Sequence, residues 1–265
     1  MKPNVVIIGS GNLAESLAIA VAECEGLNLL QLWARNPERG RVVADLAHCP
    51  TTADPQALAE ADIYLIAVSD RAVREVAELL PIPPAAIVAH TAGSVEMEAL
   101  NHYPRRGIFY PFQGFSAGRK VCFERLPIFI EAINDEVKST LWAAAAALSR
   151  QVYEAISVRR SKIHLAGVIA NNFVNQLYQS ATELLASEGL PFEVLKPLIE
   201  ETAQKAIDAE APKLVQTGPA KRGDTATQQR HLPLLEEQQV LQTIYKELSQ
   251  LIWESSKKIM PASKR

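Results

Sequence analysis

Val5-Val6-Ile7-Ile8-Gly9-Ser10-Gly11-Asn12-Leu13-Ala14 is the stretch that decides the fold. Four β-branched residues in a row describe a strand buried on both faces. The strand runs into a glycine turn, and a helical pattern carrying Leu17, Ala18, Ala20 and Val21 starts at once. This is the G-x-G-x-x-G/A fingerprint of a dinucleotide-binding turn in its required strand–turn–helix context. Gly9 permits the tight turn. Gly11 has no Cβ, so a pyrophosphate can approach the backbone, and Ala14 lets the helix pack close to the sheet. Gly9, Ser10, Gly11, Asn12 and Leu13 are therefore the expected phosphate-facing residues, with the positive end of the helix dipole behind them.

Composition narrows the classes. A chain of 265 residues with 48% apolar and 22% charged residues fits an ordinary globular protein of one large or two modest domains. The net charge of −3 gives no reason to expect nucleic acid or an anionic membrane as partner. No apolar run reaches the roughly 20 residues of a membrane span. Cys24, Cys49 and Cys122 are odd in number and lack metal-ligand spacing, so free thiols in a reducing cytoplasm, and no metal, are expected. The basic cluster Lys257-Lys258 … Lys264-Arg265 reads as a solvated tail.

Outward from the glycine turn, strand and helix patterns alternate. Strands are expected at residues 5–8, 29–33, 63–68, 86–89, 107–110, 128–131 and 151–156. Helices are expected at 13–23, 37–47, 71–80 and 136–150, with short turns at 55–59 and 97–100. Asn36 and Pro37 form a cap and first-turn pair, and Asp70 is expected to cap the 71–80 helix. Such alternation with short connections means a doubly wound, mostly parallel sheet of Rossmann type. After residue 157 only helical patterns remain: 160–188, closed by Gly189, then 192–209 and 234–260, with a Gly- and Thr-rich break at 217–227. The expectation is an α/β nucleotide domain over residues 1–157 and a helical substrate and dimerisation domain over 158–265.

The end of the second strand, Leu32-Trp33-Ala34-Arg35-Asn36, has no acidic residue to hold a ribose 2′-hydroxyl. Arg35 stands where a guanidinium grips a 2′-phosphate, and Asn36 can add an amide hydrogen bond, so NADP(H) is favoured over NAD(H). In open sheets chemistry sits beyond the carboxyl ends of the strands. Val68 and Ser69 can border the nicotinamide ribose there. His90-Thr91-Ala92-Gly93-Ser94 adds an imidazole and two hydroxyls. Thr91 is assigned to the cofactor, and His90 and Ser94 to the substrate. A structural hydrogen bond for His90 and a helix cap for Ser94 are equally open. Tyr110-Pro111-Phe112-Gln113-Gly114 offers Tyr110 and Gln113 to a substrate and aromatic walls that exclude water.

In the helical part, His164, Asn171 and Asn175 are seven and four apart, which places them on one face of an α-helix. Polar groups on an otherwise apolar face either satisfy each other or line a cleft. An imidazole exchanges protons near neutral pH, so His164 is the leading general acid, with Asn171 and Asn175 orienting substrate. Arg222 is a candidate for a substrate carboxylate, and Asp224 and His231 are candidates for the same pocket. Asp224 also suits a helix cap.

Taken together, residues 9–14, 66–70, 90–94, 107–117, 127–132, 164–175 and 218–235 resemble a bacterial family of candidate oxidoreductases that join a Rossmann-like domain to a helical domain of unknown function. The glycine loop and the helical half also look like pyrroline-5-carboxylate reductase and the β-hydroxyacid dehydrogenases. The strand-end loops look distantly like those of prephenate dehydrogenase. The resemblance implies NADP-dependent reduction and a homodimer joined through helical domains. It departs from the β-hydroxyacid dehydrogenases, since Lys162 is followed four residues on by Ala166 rather than Asn. It departs from prephenate dehydrogenase too, since Tyr110 replaces the His of a His-Pro pair. The reading is an NADP(H)-dependent oxidoreductase of a small polar carbonyl or imine held in an interdomain cleft. The alternative is a non-catalytic NADP-binding sensor or interaction protein.

Overall fold

A computed structural model describes residues 2–257; the tail from residue 258 onward lies outside the described residues. The chain forms two compact units, Met1–Phe173 and Val174–Arg265. In the first, β1 (Asn4–Ile8), β2 (Asn28–Trp33), β3 (Thr51–Thr52), β4 (Ile63–Ile66), β5 (Ile87–His90), β6 (Arg106–Pro111), β7 (Ile128–Ala132) and β8 (Val152–Glu154) make one sheet. Its order is β3-β2-β1-β4-β5-β6-β7-β8. Every pairing is parallel except β6 with β7. A parallel neighbour needs a crossover of a dozen or more residues, usually a helix. Between β6 and β7 the chain forms only the short turn Phe123–Arg125 and comes back antiparallel.

Helices α1 (Asn12–Glu23), α2 (Pro37–Ala47), α3 (Val73–Leu79) and α4 (Asp135–Leu148) cover the sheet. Ala14, Leu17, Ala18 and Val21 of α1 share one core with Val137, Leu141 and Ala145 of α4 and with β1, β4 and β7. Val73, Val76 and Ala77 of α3 pack with Leu100 and Tyr103 against the opposite side chains of β1, β4 and β5. Asn36 caps α2 as expected, its Oδ1 accepting from Arg39 N at 3.0 Å, and Asn134 caps α4, its Oδ1 accepting from Val137 N at 2.9 Å. Asp70 does not cap. It lies inside the turn Asp70–Ala72, whose N-cap is Ser69, and its carboxylate turns to Ser94.

Helix α5 (Ser157–Gly167) and the π-helical turn Val168–Phe173 group with the sheet. The reason is a buried guanidinium. Arg160, with its side chain 1% exposed, donates to Glu131 of β7, to the Val95 carbonyl and to Ser157 Oγ. The second unit holds α6 (Val174–Ser187), α7 (Lys196–Asp208), α8 (Pro219–Arg222), α9 (Thr225–His231) and α10 (Gln239–Lys257). The break expected at 217–227 is thus partly helical. Asp224 caps α9 by accepting from Thr227 N at 3.0 Å. No helix among the described residues is long and apolar enough to cross a membrane.

Candidate functional site

The glycine turn has the geometry a dinucleotide needs. Gly9 has φ +131°, and a Cβ there would strike the Ala67 carbonyl, so both conformation and packing require glycine. A Cβ built on Gly11 meets nothing within 4 Å, so the space in front of it is open for a phosphate. No side chain caps the start of α1, which leaves its first N–H groups facing that space. The Asn12 amide instead donates to the Phe115 carbonyl at 3.2 Å and holds the loop after β6 over the turn. Ser10 and Leu13 are half-buried at the same turn.

Behind the turn stands a pair that sequence reasoning missed. The Arg39 guanidinium donates to the buried Glu15 carboxylate and, through Nε, to the Ser10 carbonyl at 3.1 Å. Glu15 also accepts from Gly118 N at 2.9 Å, so one carboxylate joins α1, α2 and the loop after β6. Arg35 is exposed at the end of β2 and pairs with Glu75 of α3 at 2.9 Å. Asn36 keeps its amide nitrogen free of intramolecular hydrogen bonds among the described residues, because only its oxygen is used by the cap.

At the carboxyl ends of β4 and β5 the residues divide into two groups. His90 is fully buried. Its Nδ1 accepts from Ala92 N at 3.2 Å, so its Nε2 carries the proton and faces the Glu96 carbonyl at 3.3 Å. Burial pulls its pKa down to about 4, so the ring is neutral and shapes its own loop. Thr91 is also buried and donates to the Ile66 carbonyl at 3.3 Å. Both side chains are thus hydrogen-bonded inside the protein, and His90 is the last residue of β5, one residue beyond the expected strand end. Ser94 and Ser69 are exposed, and Val68 is half-buried. The Ser94 hydroxyl donates to Asp70 rather than capping the following turn.

Tyr110 and His164 meet. The Tyr110 hydroxyl lies 3.1 Å from His164 Nδ1. Gly93 lies against both: a Cβ there would come within 2.6 Å of His164 Nδ1 and 2.7 Å of Tyr110 Cζ. Phe112 and Phe129 flank Tyr110 with ring centroids 6.1 and 6.3 Å away. Burial, and then the Asp70 charge, push the Tyr110 hydroxyl up to about 12. Gln113 is exposed and uses its side-chain oxygen on Gly114 N at 2.9 Å.

His164 and Asn171 both face the Tyr110–Gly114 segment, His164 at Tyr110 and Asn171 at Gly114, with Gly167 between them against Phe112. The π turn Val168–Phe173 lies between His164 and Asn175. One extra residue in the turn rotates the succeeding residues by about 100° relative to an α-helix. Asn171, inside the turn, lies over Gly114, where a Cβ would come 2.7 Å from its Nδ2. Asn175 is an exposed residue of the second unit. In that unit His231 Nδ1 lies 2.8 Å from the Tyr245 hydroxyl, Asp224 serves as a cap, and Arg222 is exposed.

Residues 4–93 match a family described as NADP oxidoreductase, coenzyme F420-dependent, and residues 126–252 match the domain of unknown function DUF2520. A candidate NADP oxidoreductase from Bacteroides fragilis is 39% identical, with 96% of this chain and 98% of that chain covered and a TM-score of 0.88. Two more distant structures share the fold. A pyrroline-5-carboxylate reductase from Coxiella burnetii is 15% identical over 99% of this chain and 100% of its own, with a TM-score of 0.59. A reductive aminase from Aspergillus terreus, solved with NADPH and ethyl levulinate, is 15% identical over 98% and 95%, with a TM-score of 0.66. No curated protein matches the chain. The identity to the Bacteroides fragilis protein over nearly the full length places the chain in the family of NADP oxidoreductases, with a DUF2520 domain following the nucleotide-binding one.

Proposed function

We propose that the protein is an NADP(H)-dependent oxidoreductase of a small polar carbonyl or imine, with His164 as its proton-transferring residue. The observation that carries this reading is the Tyr110–His164 pair at the carboxyl end of β6. Gly9 to Leu13 would hold the pyrophosphate, and Arg35 with Asn36 the 2′-phosphate. Val68 and Ser69 would border the nicotinamide ribose. When bound, the cofactor supplies or accepts a hydride. Burial raises the Tyr110 hydroxyl to about 12, which makes it a weak proton donor, so its role in this reading is to orient the imidazole. Its O–H donates to Nδ1 of the neutral ring when Nε2 holds the proton, and its oxygen accepts from Nδ1–H of the protonated one. The protonated ring can give its Nε2 proton to the substrate and is left as the Nδ1–H tautomer, whose Nδ1–H donates to the Tyr110 oxygen. Asn171 would orient the substrate, and Arg222 would bind a carboxylate on it. Gln113, Asn175, Asp224 and His231 stay secondary candidates. Phe112 and Phe129 help keep water from the reacting atoms.

In this reading residues 1–157 handle the nucleotide, and residues from 158 onward supply His164 and the surface of a homodimer. Exposed apolar side chains of α7 and α10 support the dimer, among them Leu198 and Ile207, Val240 and Leu251. The three free thiols fit a reducing cytoplasm.

Titration with NADPH and NADH, followed by nicotinamide fluorescence, tests the cofactor half of the reading. NADPH should bind at least about tenfold more tightly, roughly 1.4 kcal/mol; a preference for NADH would overturn the role of Arg35. His164→Ala should then abolish most NADPH oxidation with an active carbonyl or imine while leaving the NADPH affinity unchanged. Unchanged turnover would remove His164 from the chemistry.

A further inference from the structure

We propose that Asp70 sets the balance between the two redox states of the cofactor: its carboxylate, held by Ser94, favours the cationic nicotinamide ring of NADP+ over the neutral ring of NADPH. The inference rests on the proposed function, in which NADP(H) binds along the strand ends.

Placement comes from the sheet. The glycine turn follows β1, and the residues proposed for the 2′-phosphate follow β2, on one side of it. A dinucleotide lying across the β1/β4 crevice must extend its other half over β4 and β5. Asp70 and Ser94 follow those two strands and meet there. Asp70 is exposed to whatever occupies that surface.

Charge bookkeeping singles Asp70 out among its neighbours. His90 is held neutral by burial. Tyr110 keeps its proton. Arg160 is neutralised by Glu131. Arg71, on the same turn as Asp70, makes no ion pair with it, and Asp70 is in no ion pair among the described residues. Its carboxylate is also not spent as a helix cap. Its one side-chain hydrogen bond comes from the Ser94 hydroxyl, which fixes its position and leaves its charge uncompensated.

The chemistry follows from that charge. Transfer of a hydride to a substrate carbon removes two electrons and a proton nucleus from the dihydronicotinamide ring and leaves the ring with one positive charge. The proton that completes reduction reaches the substrate heteroatom from His164. A fixed anion beside the ring stabilises the charge that appears during this step and interacts little with the neutral ring before it. Asp70 therefore biases the site toward giving up hydride.

The test needs no substrate. Binding of NADP+ and of NADPH is measured separately by calorimetry on the full chain, for wild type, Asp70→Asn and Ser94→Ala. The asparagine oxygen still accepts from Ser94, so the substitution removes charge and keeps shape. Asp70→Asn should weaken NADP+ about five- to tenfold and change NADPH by less than about twofold. Ser94→Ala, which loosens the carboxylate without removing it, should give a smaller loss in the same direction. In wild type, raising salt should shrink the ratio of the two affinities, because the 2′-phosphate contributes equally to both and cancels. Equal weakening of both nucleotides by Asp70→Asn, or no change for NADP+, would overturn the proposal. A salt-independent ratio would overturn it even if the asparagine variant fails to fold. Wild type that binds neither nucleotide would instead bring down the cofactor reading, and this proposal with it.

Discussion

Beyond residue 173 the apolar residues buried among the described ones are Ala220 and Leu235, whereas β1 alone buries Val5, Val6, Ile7 and Ile8. The first unit carries its own core on both faces of a sheet. The second carries helices whose large apolar side chains stay in solvent: Val240 is 76% exposed, Ile207 75% and Leu234 74%. Along α10, Val240, Ile244, Leu248 and Leu251 recur at spacings of four, four and three, which forms one stripe. Helices of this kind gain most of their stability from packing an apolar face rather than from intrinsic propensity. The difference teaches that one unit buries its apolar side chains within a single chain, while the other leaves large ones exposed, a surface the proposed homodimer would cover.

The largest effect should come from breaking that surface. Val240→Glu combined with Leu251→Glu should convert a dimer wholly to monomer in light scattering at micromolar concentration. A wild type that is already monomeric, or a double variant that stays dimeric, would remove the distinction between the units. Next in size is Arg160→Met. It leaves Glu131 without its cation, and removing one partner of a buried pair costs about 3–5 kcal/mol. Urea denaturation should show that loss, with the dimer retained if the two units are as independent as the comparison holds. A change under about 1 kcal/mol would mean the pair is solvated. The smallest effect on stability belongs to Gly11→Ala. Its φ of −74° and the open space in front of it suit alanine, so the melting temperature should hold within about a degree. NADPH affinity should nonetheless fall at least about tenfold. Unchanged affinity would mean that the pyrophosphate lies elsewhere.

Much of the first unit was legible in sequence because its signals are local. The glycine turn, the β-branched run before it and the cap at Asn36 each need only a few consecutive residues, as does the Asp224 cap of the second unit. Asn134 caps α4 by an equally local signal, although the strand and helix patterns alone did not single it out. The pairs that order the site are not local. Arg39 and Glu15 are 24 residues apart, and Arg160 and Glu131 are 29 apart. Nothing in the pattern around either residue announces its partner. The spacing of His164, Asn171 and Asn175 was read with a uniform 3.6-residue period; the π turn departs from that period with no Gly or Pro inside it as a mark, and His164 and Asn171 still face one segment. Asp70 carried a good capping position, and only the fold shows that its carboxylate goes to Ser94. Arg35 was found from the strand end, while its contact with Glu75 depends on β2 and the helix after β4 being brought to the same edge.

That contact has a thermodynamic consequence. With Glu75 on its guanidinium, Arg35 already holds an anion before any nucleotide arrives, and in its proposed role a 2′-phosphate would have to exchange with that anion. Cofactor affinity is then a difference between two ion pairs, one intramolecular and one not. Added salt weakens both, so the slope of log affinity against log salt should be shallower than one free arginine facing a phosphate would give. On the proposed reading, discrimination between NADPH and NADH becomes a property of two side chains: the one that would attract the phosphate and the one that would step aside for it.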